Sequence, residues 1–294
     1  MPAKFITSVA CLAFFFAIAV DGTARAHGQA TKSIFISIVD SSGKPVTDLK
    51  PEEVAVGEDS KRLEMTGFKA AASPLSIALL IDTTGGVEPF VQDFRRSLAS
   101  FVKQIQAARP DSEIMLMEFG QAASPLAQFT TKAADLEKPI SRFYPKKEAS
   151  SSVLLEAIGE SSQMLAKRTS LRRAIVILNL EPSNENSAVR PNQVVEALRK
   201  SGASVWAVSL QEGKLRNPTR DVVLPVLTGN TGGSREFIFA SAAIEAKLAQ
   251  VAESLLGQYE VTYVRPADAG TPKIVQLRVG RPGLTVRAPA WPPQ

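Results

Sequence analysis

The sequence has almost no cysteine and almost no histidine. Its 294 residues include one cysteine, Cys11, and one histidine, His27. Within this sequence, a disulfide framework, a histidine-based catalytic triad and a multi-histidine zinc site are therefore excluded. Disulfides are also not needed, because a chain of this length can bury a sizeable hydrophobic core without them.

Long apolar runs are equally scarce. The one clear example spans residues 9–20, follows Lys4 and is succeeded by the small-residue sequence Ala24-Arg25-Ala26. This order predicts a signal peptide over residues 1–26 and an exported mature chain, periplasmic or secreted, that begins at His27. The alternative is an uncleaved N-terminal anchor. No later stretch is long and apolar enough to predict a transmembrane segment after cleavage.

The charge is modest, with a formal net value of +5. Basic residues are spread over the alternating segments after Arg265, which favours solvated strand faces, with an acidic partner or a membrane surface as the alternative. Export and the lack of a basic helix or an aromatic platform argue against a nucleic-acid partner.

Hydrophobic patterning divides the rest of the chain into three parts. Residues 33–72 read as an N-terminal β segment with alternating strands and turn residues. Residues 73–257 alternate buried apolar strands with amphipathic helices, and residues 258–290 return to a β pattern. The middle part predicts an α/β fold, a doubly wound and mostly parallel sheet with helices on both faces. We expect the two β segments to pack together as a small β lobe, since neither is long enough to be stable alone.

Candidate functional residues follow the first strand of the α/β part. Asp82 ends this strand and is followed by Thr83, Thr84, Gly85 and Gly86. A carboxylate with nearby hydroxyls at a strand end suits a hard cation such as Mg²⁺, which prefers oxygen ligands. The structural alternative is that Asp82 caps the next helix or accepts backbone N–H bonds from Thr84 and Gly85.

At these residues the chain resembles a known family. The strand ending at Asp82, the helix start at 151–157 and the glycine-rich turn at 227–233 resemble a von Willebrand factor A (vWA) domain. The flanking motifs at 40–46, 258–259 and 281–287 resemble those of exported bacterial proteins in which a vWA domain lies between short β segments. The resemblance covers residues 33–290 and implies a vWA-like fold and protein–protein recognition.

The resemblance also implies which residues form the binding site. The metal-ion-dependent adhesion site of the family combines Asp-x-Ser-x-Ser, a Thr that begins a middle helix and an Asp after the fourth strand. Here these positions correspond to Asp82, Thr84, Gly86, Ser152 and Leu180, with Glu181 one residue further on. One hydroxyl and one carboxylate of the pattern are missing. We therefore expect no tightly bound cofactor, with Asp82, Thr84 and Ser152 as the candidates for any Mg²⁺ ligation.

Three functions follow as hypotheses. The first is an exported, non-catalytic protein-binding module of the adhesion type, whose partner-binding face contains Asp82, Thr84, Gly86, Ser152 and Glu181. The second is a structural subunit of a cell-envelope assembly, with the β lobe as the contact. The third is a hydrolase that uses Asp82 and Glu181 as acid and base, although no motif supports it. For Ser152 the structural alternative is a helix N-cap.

Overall fold

A computed structural model describes residues 30–181, 183–214, 216–265 and 272–292. The predicted signal peptide, with Cys11, and His27 lie outside these residues.

Fifteen strands and six α-helices are assigned within the described part of the chain. The strands are β1 (Ala30–Val39), β2 (Val54–Glu58), β3 (Lys61–Arg62), β4 (Met65–Ala70), β5 (Leu75–Asp82), β6 (Glu113–Phe119), β7 (Ala123–Thr130), β8 (Ser151–Ser152), β9 (Arg172–Glu181), β10 (Asn184–Glu185), β11 (Ser204–Gln211), β12 (Arg235–Ile238), β13 (Tyr259–Arg265), β14 (Val275–Val279) and β15 (Thr285–Arg287). The helices are α1 (Val91–Ala108), α2 (Ala133–Arg142), α3 (Leu154–Ala166), α4 (Pro191–Ser201), α5 (Pro218–Thr231) and α6 (Ile244–Leu256). Short 3-10 helices span Pro51–Glu53, Gly85–Phe90 and Ser241–Ala243.

The central sheet has six strands in the order β12-β11-β9-β5-β6-β7. All neighbouring pairs are parallel except the pair of β6 with the edge strand β7. After β5 the chain adds β6 on one side of it and later β9 on the other. The strand order therefore reverses between β5 and β9, which is where open α/β sheets usually bind ligands. The predicted doubly wound, mostly parallel sheet is confirmed.

Both faces of this sheet are covered by helices, as its sequence pattern requires. In β5, Ile77, Leu79 and Ile81 face one core, which α1, α2 and α6 complete. Ala78 and Leu80 face the other core, which α3, α4 and α5 complete. All side chains of β5 are buried, so a continuous apolar run is the pattern expected of a strand covered on both faces.

The terminal segments form a separate group of antiparallel strands. β13 lies between β1 and β4 in a four-stranded sheet completed by β15, and β14 pairs with β2 in a three-stranded sheet with β3. Their shared core includes Ile36, Ile38, Val261 and Tyr263. The expected pairing of N-terminal with C-terminal strands is thus observed, and we call this group the β lobe.

The hydrophobic periodicity of the sequence predicts helices over 87–108, 152–166 and 221–228, and all three differ from the observed helices at their starts. The helix predicted over 87–108 becomes α-helical only at Val91, after a 3-10 segment that contains Pro89, which has no N–H to give to a helix. The helix predicted from Ser152 begins at Leu154. The helix predicted over 221–228 runs from Pro218, where the Asn217 side chain accepts a hydrogen bond from the backbone N–H of Arg220. No helix in the described part of the chain has the length and apolar character needed to span a membrane.

Candidate functional site

The candidate site lies at the carboxyl ends of β5 and β9, where the strand order reverses. These two strands pair in parallel up to Ile81 and Leu178, so Asp82 and Leu180 extend from the same edge of the sheet. The segment between α2 and β8 covers this edge: the N–H of Lys146 donates to the carbonyl of Thr83 (2.8 Å), and the N–H of Gly85 donates to Ala149 (3.0 Å). The site is therefore closed over by backbone.

Asp82 is fully buried and fully hydrogen-bonded. Its Oδ1 accepts from the backbone N–H of Thr84 (2.9 Å) and from the Thr84 hydroxyl (2.7 Å), and its Oδ2 accepts from the N–H of Leu180 (3.1 Å). The expected bond from Thr84 is present, but Gly85 donates elsewhere, and no side chain caps the following 3-10 helix. Asp82 thus links the carboxyl ends of β5 and β9.

Burial raises the pKa of Asp82, because a charged carboxylate is costly away from water. The positive charge of Arg220 and the hydrogen bonds from Thr84 and Leu180 act in the opposite direction and favour the charged form. The nearby guanidinium is therefore the main electrostatic compensation for this carboxylate.

Arg220, near the start of α5, is a residue of the site that sequence reasoning missed. Its side chain is fully buried and donates to the Ser152 hydroxyl through Nη2. Its Nη1 donates to the carbonyl of Leu180 (3.1 Å), and its Nε donates to Glu185 Oε2 (3.1 Å). The guanidinium thus contacts one of the predicted ligand residues directly and lies in the field of Asp82. A signal was present in the sequence, since Asn217-Pro218 is a typical helix start and would have placed Arg220 in the first turn.

Ser152 has a different role from the predicted helix N-cap. It lies in β8, which pairs in parallel with β10, and α3 begins after Val153. Its buried hydroxyl is occupied by the arginine rather than by the backbone of α3. The interpretation of Ser152 as a helix cap is therefore wrong.

Glu181 is held in a network of its own. Its Oε1 accepts from Arg235 Nη2 (3.0 Å) and from Asn179 Nδ2 (3.0 Å), and it lies 3.7 Å from Nη1 of Arg220. Its Oε2 accepts from the backbone N–H of Asn217 (3.2 Å). Glu181 is fully buried, so it neutralises two arginines and is not free to replace the missing carboxylate at position 180.

Gly86 and Leu180, the two positions that depart from the family pattern, lie close to each other. A Cβ added at Gly86 would lie 2.8 Å from Cδ2 of Leu180, which is closer than carbon atoms approach in proteins. A serine at position 86 therefore requires Leu180 to move. Leu180 thus occupies space that a side chain at position 86 would need, and the end of its flexible side chain would have to shift.

These residues do not fit a divalent cation. The remaining oxygen donors are Asp82, Thr84 and Ser152, and the last of these is bonded to the guanidinium of Arg220. Among the described residues, no group of three or more His, Cys, Asp or Glu side chains is placed to hold a metal ion. A buried guanidinium beside the remaining donors would repel a second cation.

The structure therefore brings together Asp82, Thr84 and Ser152, with Arg220 between the Ser152 hydroxyl and the acidic groups of Glu181 and Glu185. Of the five residues predicted to form a partner-binding face, Asp82, Thr84, Ser152 and Glu181 are buried, and Gly86 alone is exposed. The buried four cannot touch a partner unless the loops open.

Comparison with known proteins identifies one family. The family model of the von Willebrand factor type A domain matches residues 76–253. A comparison with curated proteins finds no significant match.

Solved structures with a similar fold are distant in sequence. Proximal thread matrix protein 1 from the mussel byssus, in a structure with a zinc-occupied MIDAS motif, is 13% identical with a TM-score of 0.53, over 68% of this chain and 49% of that chain. The chain thus spans about half the length of that protein. A von Willebrand factor type A protein from Catenulispora acidiphila is 12% identical with a TM-score of 0.49, over 90% of this chain and 74% of that chain. At these identities the likeness concerns the fold alone.

Proposed function

The chain belongs to the von Willebrand factor type A family, and on that basis we propose that it is an exported, non-catalytic protein-binding module with a degenerate metal-ion-dependent adhesion site. Domains of this family are mostly interaction modules, which supports protein recognition as the general function. The export part of the proposal rests on the apolar run at 9–20 and the Ala24-Arg25-Ala26 sequence that follows it.

The observation that carries the proposal is the buried side chain of Arg220. It donates to Ser152, the position that supplies a metal ligand in the family's pattern, and its charge favours the ionised form of Asp82. A guanidinium is always charged and offers five N–H donors in a fixed plane. It therefore supplies the positive charge and the fixed geometry that the family obtains from a cation. We infer that partner binding by this chain does not depend on a divalent metal.

The partner contacts would come from the rim of the site. Tyr144 is 54% exposed and donates through its hydroxyl to Oε1 of Glu88 (3.2 Å), which is also ion-paired with Lys147 (3.0 Å). Together with the exposed Gly86, these residues belong to the two segments, 83–88 and 144–149, that are joined by backbone hydrogen bonds next to the end of β5. Tyrosine is over-represented among residues that dominate binding energy, because it combines a large rigid ring with a polar hydroxyl.

The two alternatives have different support. A structural subunit of an envelope assembly would use the β lobe, where Ile274 is an exposed apolar side chain (40% exposed). A structural role is compatible with the name of the mussel thread matrix protein, which shares the fold. A hydrolase that uses Asp82 and Glu181 is less well supported, since both carboxylates are fully buried and hydrogen-bonded within the protein.

The test is affinity capture with matched variants. The mature chain is used as bait for envelope and secreted fractions, with and without EDTA, followed by cross-linking to locate the contact. We expect one partner to be captured equally well with EDTA, and capture to be lost with Tyr144→Asp but kept with Ile274→Asp. Loss of capture in EDTA would overturn metal independence. Loss with Ile274→Asp and not with Tyr144→Asp would favour the structural-subunit alternative.

A further inference from the structure

A concave pocket lies at the other end of the central sheet, where its parallel strands begin. This pocket, of about 340 Å³, is formed where β9 and β11 begin, where α4 ends and where the C-terminal segment passes Trp291; β1 of the β lobe completes it. The volume falls in the range of pockets that bind small organic molecules, roughly 300–1,000 Å³. The pocket is separate from the site around Asp82, which lies at the carboxyl ends of the same strands.

Its charge is of one sign. The described residues that line it include five cationic side chains and no carboxylate: Lys32, Arg172, Arg173, Arg199 and Lys200. None of the five has an ion-pair partner among the described carboxylates. Glu260, whose charge reaches Arg172, is itself ion-paired with Lys69 at 3.3 Å.

The arginines at the base of the pocket are bonded only to neutral groups. Arg173 donates to the carbonyls of Ser201 (2.7 Å) and Arg168 (2.6 Å), and its Nε is buried without a hydrogen-bond partner. Arg172 donates to three backbone carbonyls and to Gln258. Carbonyl oxygens compensate a guanidinium only in part, so positive charge remains at this pocket.

The walls are largely apolar. Phe35, Leu171 and Trp291 contribute ring and aliphatic surface, and Leu171 is 67% exposed. The guanidinium of Arg199 lies over the Trp291 ring, 5.3 Å from its centroid, which holds a cation at the edge of the apolar surface. An inorganic anion would leave these walls exposed to water, and a neutral apolar molecule would leave the cations without a partner.

We propose that this pocket binds a small organic anion, an acid group joined to an apolar body. The acid group would be met by Lys32, Arg199 and Lys200 at the mouth and by the field of Arg173 at the base, and the apolar body would lie against Phe35, Leu171 and Trp291. This inference concerns a different surface from the proposed partner-binding rim, so either can fail without the other.

The experiment uses a matched pair of fluorescent probes. 8-Anilinonaphthalene-1-sulfonate carries a sulfonate, and N-phenyl-1-naphthylamine has the same ring system without it. We expect the folded chain to bind one sulfonate probe per molecule, and the neutral probe much more weakly. Lys32→Gln with Arg199→Gln should weaken sulfonate binding roughly tenfold, the effect of losing two charge-assisted contacts. The matched control is Lys138→Gln with Arg142→Gln, two exposed cations of α2 that do not line the pocket.

Displacement by an acid and its alcohol completes the test. Decanoate should displace the bound sulfonate probe, and 1-decanol at the same concentration should not. Circular dichroism of each variant confirms that it remains folded. The proposal is overturned if the two fluorescent probes bind equally well, if both double variants bind like the original chain, or if decanoate causes no displacement.

Discussion

At the residue scale, the candidate site at the carboxyl ends of β5 and β9 consists of an internal ion network rather than an open ligand site. Arg220 and Arg235 are surrounded by Glu181, Glu185 and Asp221, and most of these side chains are buried. Buried charges are tolerated when each is paired and its hydrogen-bonding groups are satisfied. Removal of one member then leaves an opposite charge without compensation.

Arg220→Met should therefore be strongly destabilising. The substitution keeps much of the volume but leaves Glu185 and Ser152 without their partner, and the loss of one member of a buried pair costs about 3–5 kcal/mol. Urea denaturation measures the change in the free energy of unfolding. Arg142→Met, at an exposed arginine of α2, is the control and should unfold at the same urea concentration as the original chain. Equal stability of the Arg220 variant would show that the network contributes nothing.

The same geometry predicts how the chain responds to metal. Millimolar Mg²⁺ or Mn²⁺ should leave the thermal midpoint unchanged, because a guanidinium and an apolar side chain stand where cation ligands are needed. A variant that combines Gly86→Ser, Leu180→Asp and Arg220→Ala should gain a midpoint increase with Mn²⁺, and a further Asp82→Ala should remove that increase. A rise in the midpoint of the original chain that Asp82→Ala abolishes would contradict the prediction.

Sequence alone predicted only part of this site. Asp82 and Thr84 follow an apolar strand and match a motif, so their proximity could be inferred from local order. Arg220 is 68 positions from Ser152 along the chain, and no local pattern connects the two. The contact exists because α5 begins beside the end of β9, and that placement is a property of the assembled sheet.

At the element scale, buried strands were easier to predict than helix starts. The apolar runs of β5, β9 and β11 define these strands to within about a residue, because burial on both faces leaves little choice of residue type. α5 was predicted too short: the sequence predicted a helix over 221–228, whereas the observed helix runs over Pro218–Thr231. The end of α4 was correctly marked by Gly202 at φ 66°, whereas α5 continues into the predicted glycine-rich turn at 227–233 and ends at Thr231, with Gly232 at φ 79°.

These two glycines make a matched pair for measuring a tertiary contact. Both have positive φ, so alanine at either position should cost about 1–2 kcal/mol in backbone strain. At Gly202 a Cβ meets nothing, whereas at Gly232 it would lie 2.9 Å from the backbone of Ala288. Gly232→Ala should therefore lower the free energy of unfolding by roughly a further 1–3 kcal/mol, the usual effect of overpacking. Equal effects of the two substitutions in chemical denaturation would mean that the segment at Ala288 moves away freely.

Another contact between elements should make stability depend on pH. Burial alone would raise the pKa of Glu113, at the start of β6, but hydrogen bonds from Arg168 and Ser76 outweigh burial and hold the pKa below its usual value. Because the pKa of Glu113 is lower in the folded than in the unfolded chain, its ionised carboxylate stabilises the fold at pH values above its unfolded pKa. This stabilisation is lost as the pH falls through the folded pKa.

Glu113→Gln should thus lower the free energy of unfolding by roughly 1 kcal/mol at pH 7, a value reduced for the partial exposure of Arg168. The difference from the original chain should shrink below about pH 4 in thermal melts. A difference that stays constant down to pH 3 would contradict this assignment.

At the scale of the whole molecule, the chain leaves the β lobe, forms the α/β part and returns to the lobe. Patterning alone predicted this arrangement, because two short β segments each needed a partner. What it did not predict is the side chain that connects the parts. Arg172 is 1% exposed and donates to the carbonyls of Ala71 (3.2 Å), Ser73 (2.5 Å) and Leu255 (2.5 Å). Its guanidinium also lies over the ring of Phe35 in β1, at 5.7 Å.

Arg172 therefore holds both crossings between the lobe and the α/β part to the start of β9. Burial, with a contribution from the nearby Arg109, lowers its pKa to about 10, so it remains charged at neutral pH and all of these bonds are charge-assisted. Arg172→Met would leave the carbonyls of Ala71, Ser73 and Leu255 without this donor, at a cost of about 2 kcal/mol.

Loss of the Arg172 hydrogen bonds should also make the β lobe and the α/β part unfold separately. In the original chain we expect one transition, seen at the same denaturant concentration by near-ultraviolet dichroism of the lobe tyrosines Tyr259 and Tyr263 and by fluorescence of the two tryptophans, Trp206 and Trp291, which both pack against the cores of the α/β part. In Arg172→Met the tyrosine signal should change first, because the lobe has the smaller core and depends on the crossings that the arginine fixed. The exposed Arg142→Met again serves as the control. Two separate transitions in the original chain would show that the lobe folds independently, and coincident transitions in the Arg172 variant would show that β-strand packing alone couples the two parts.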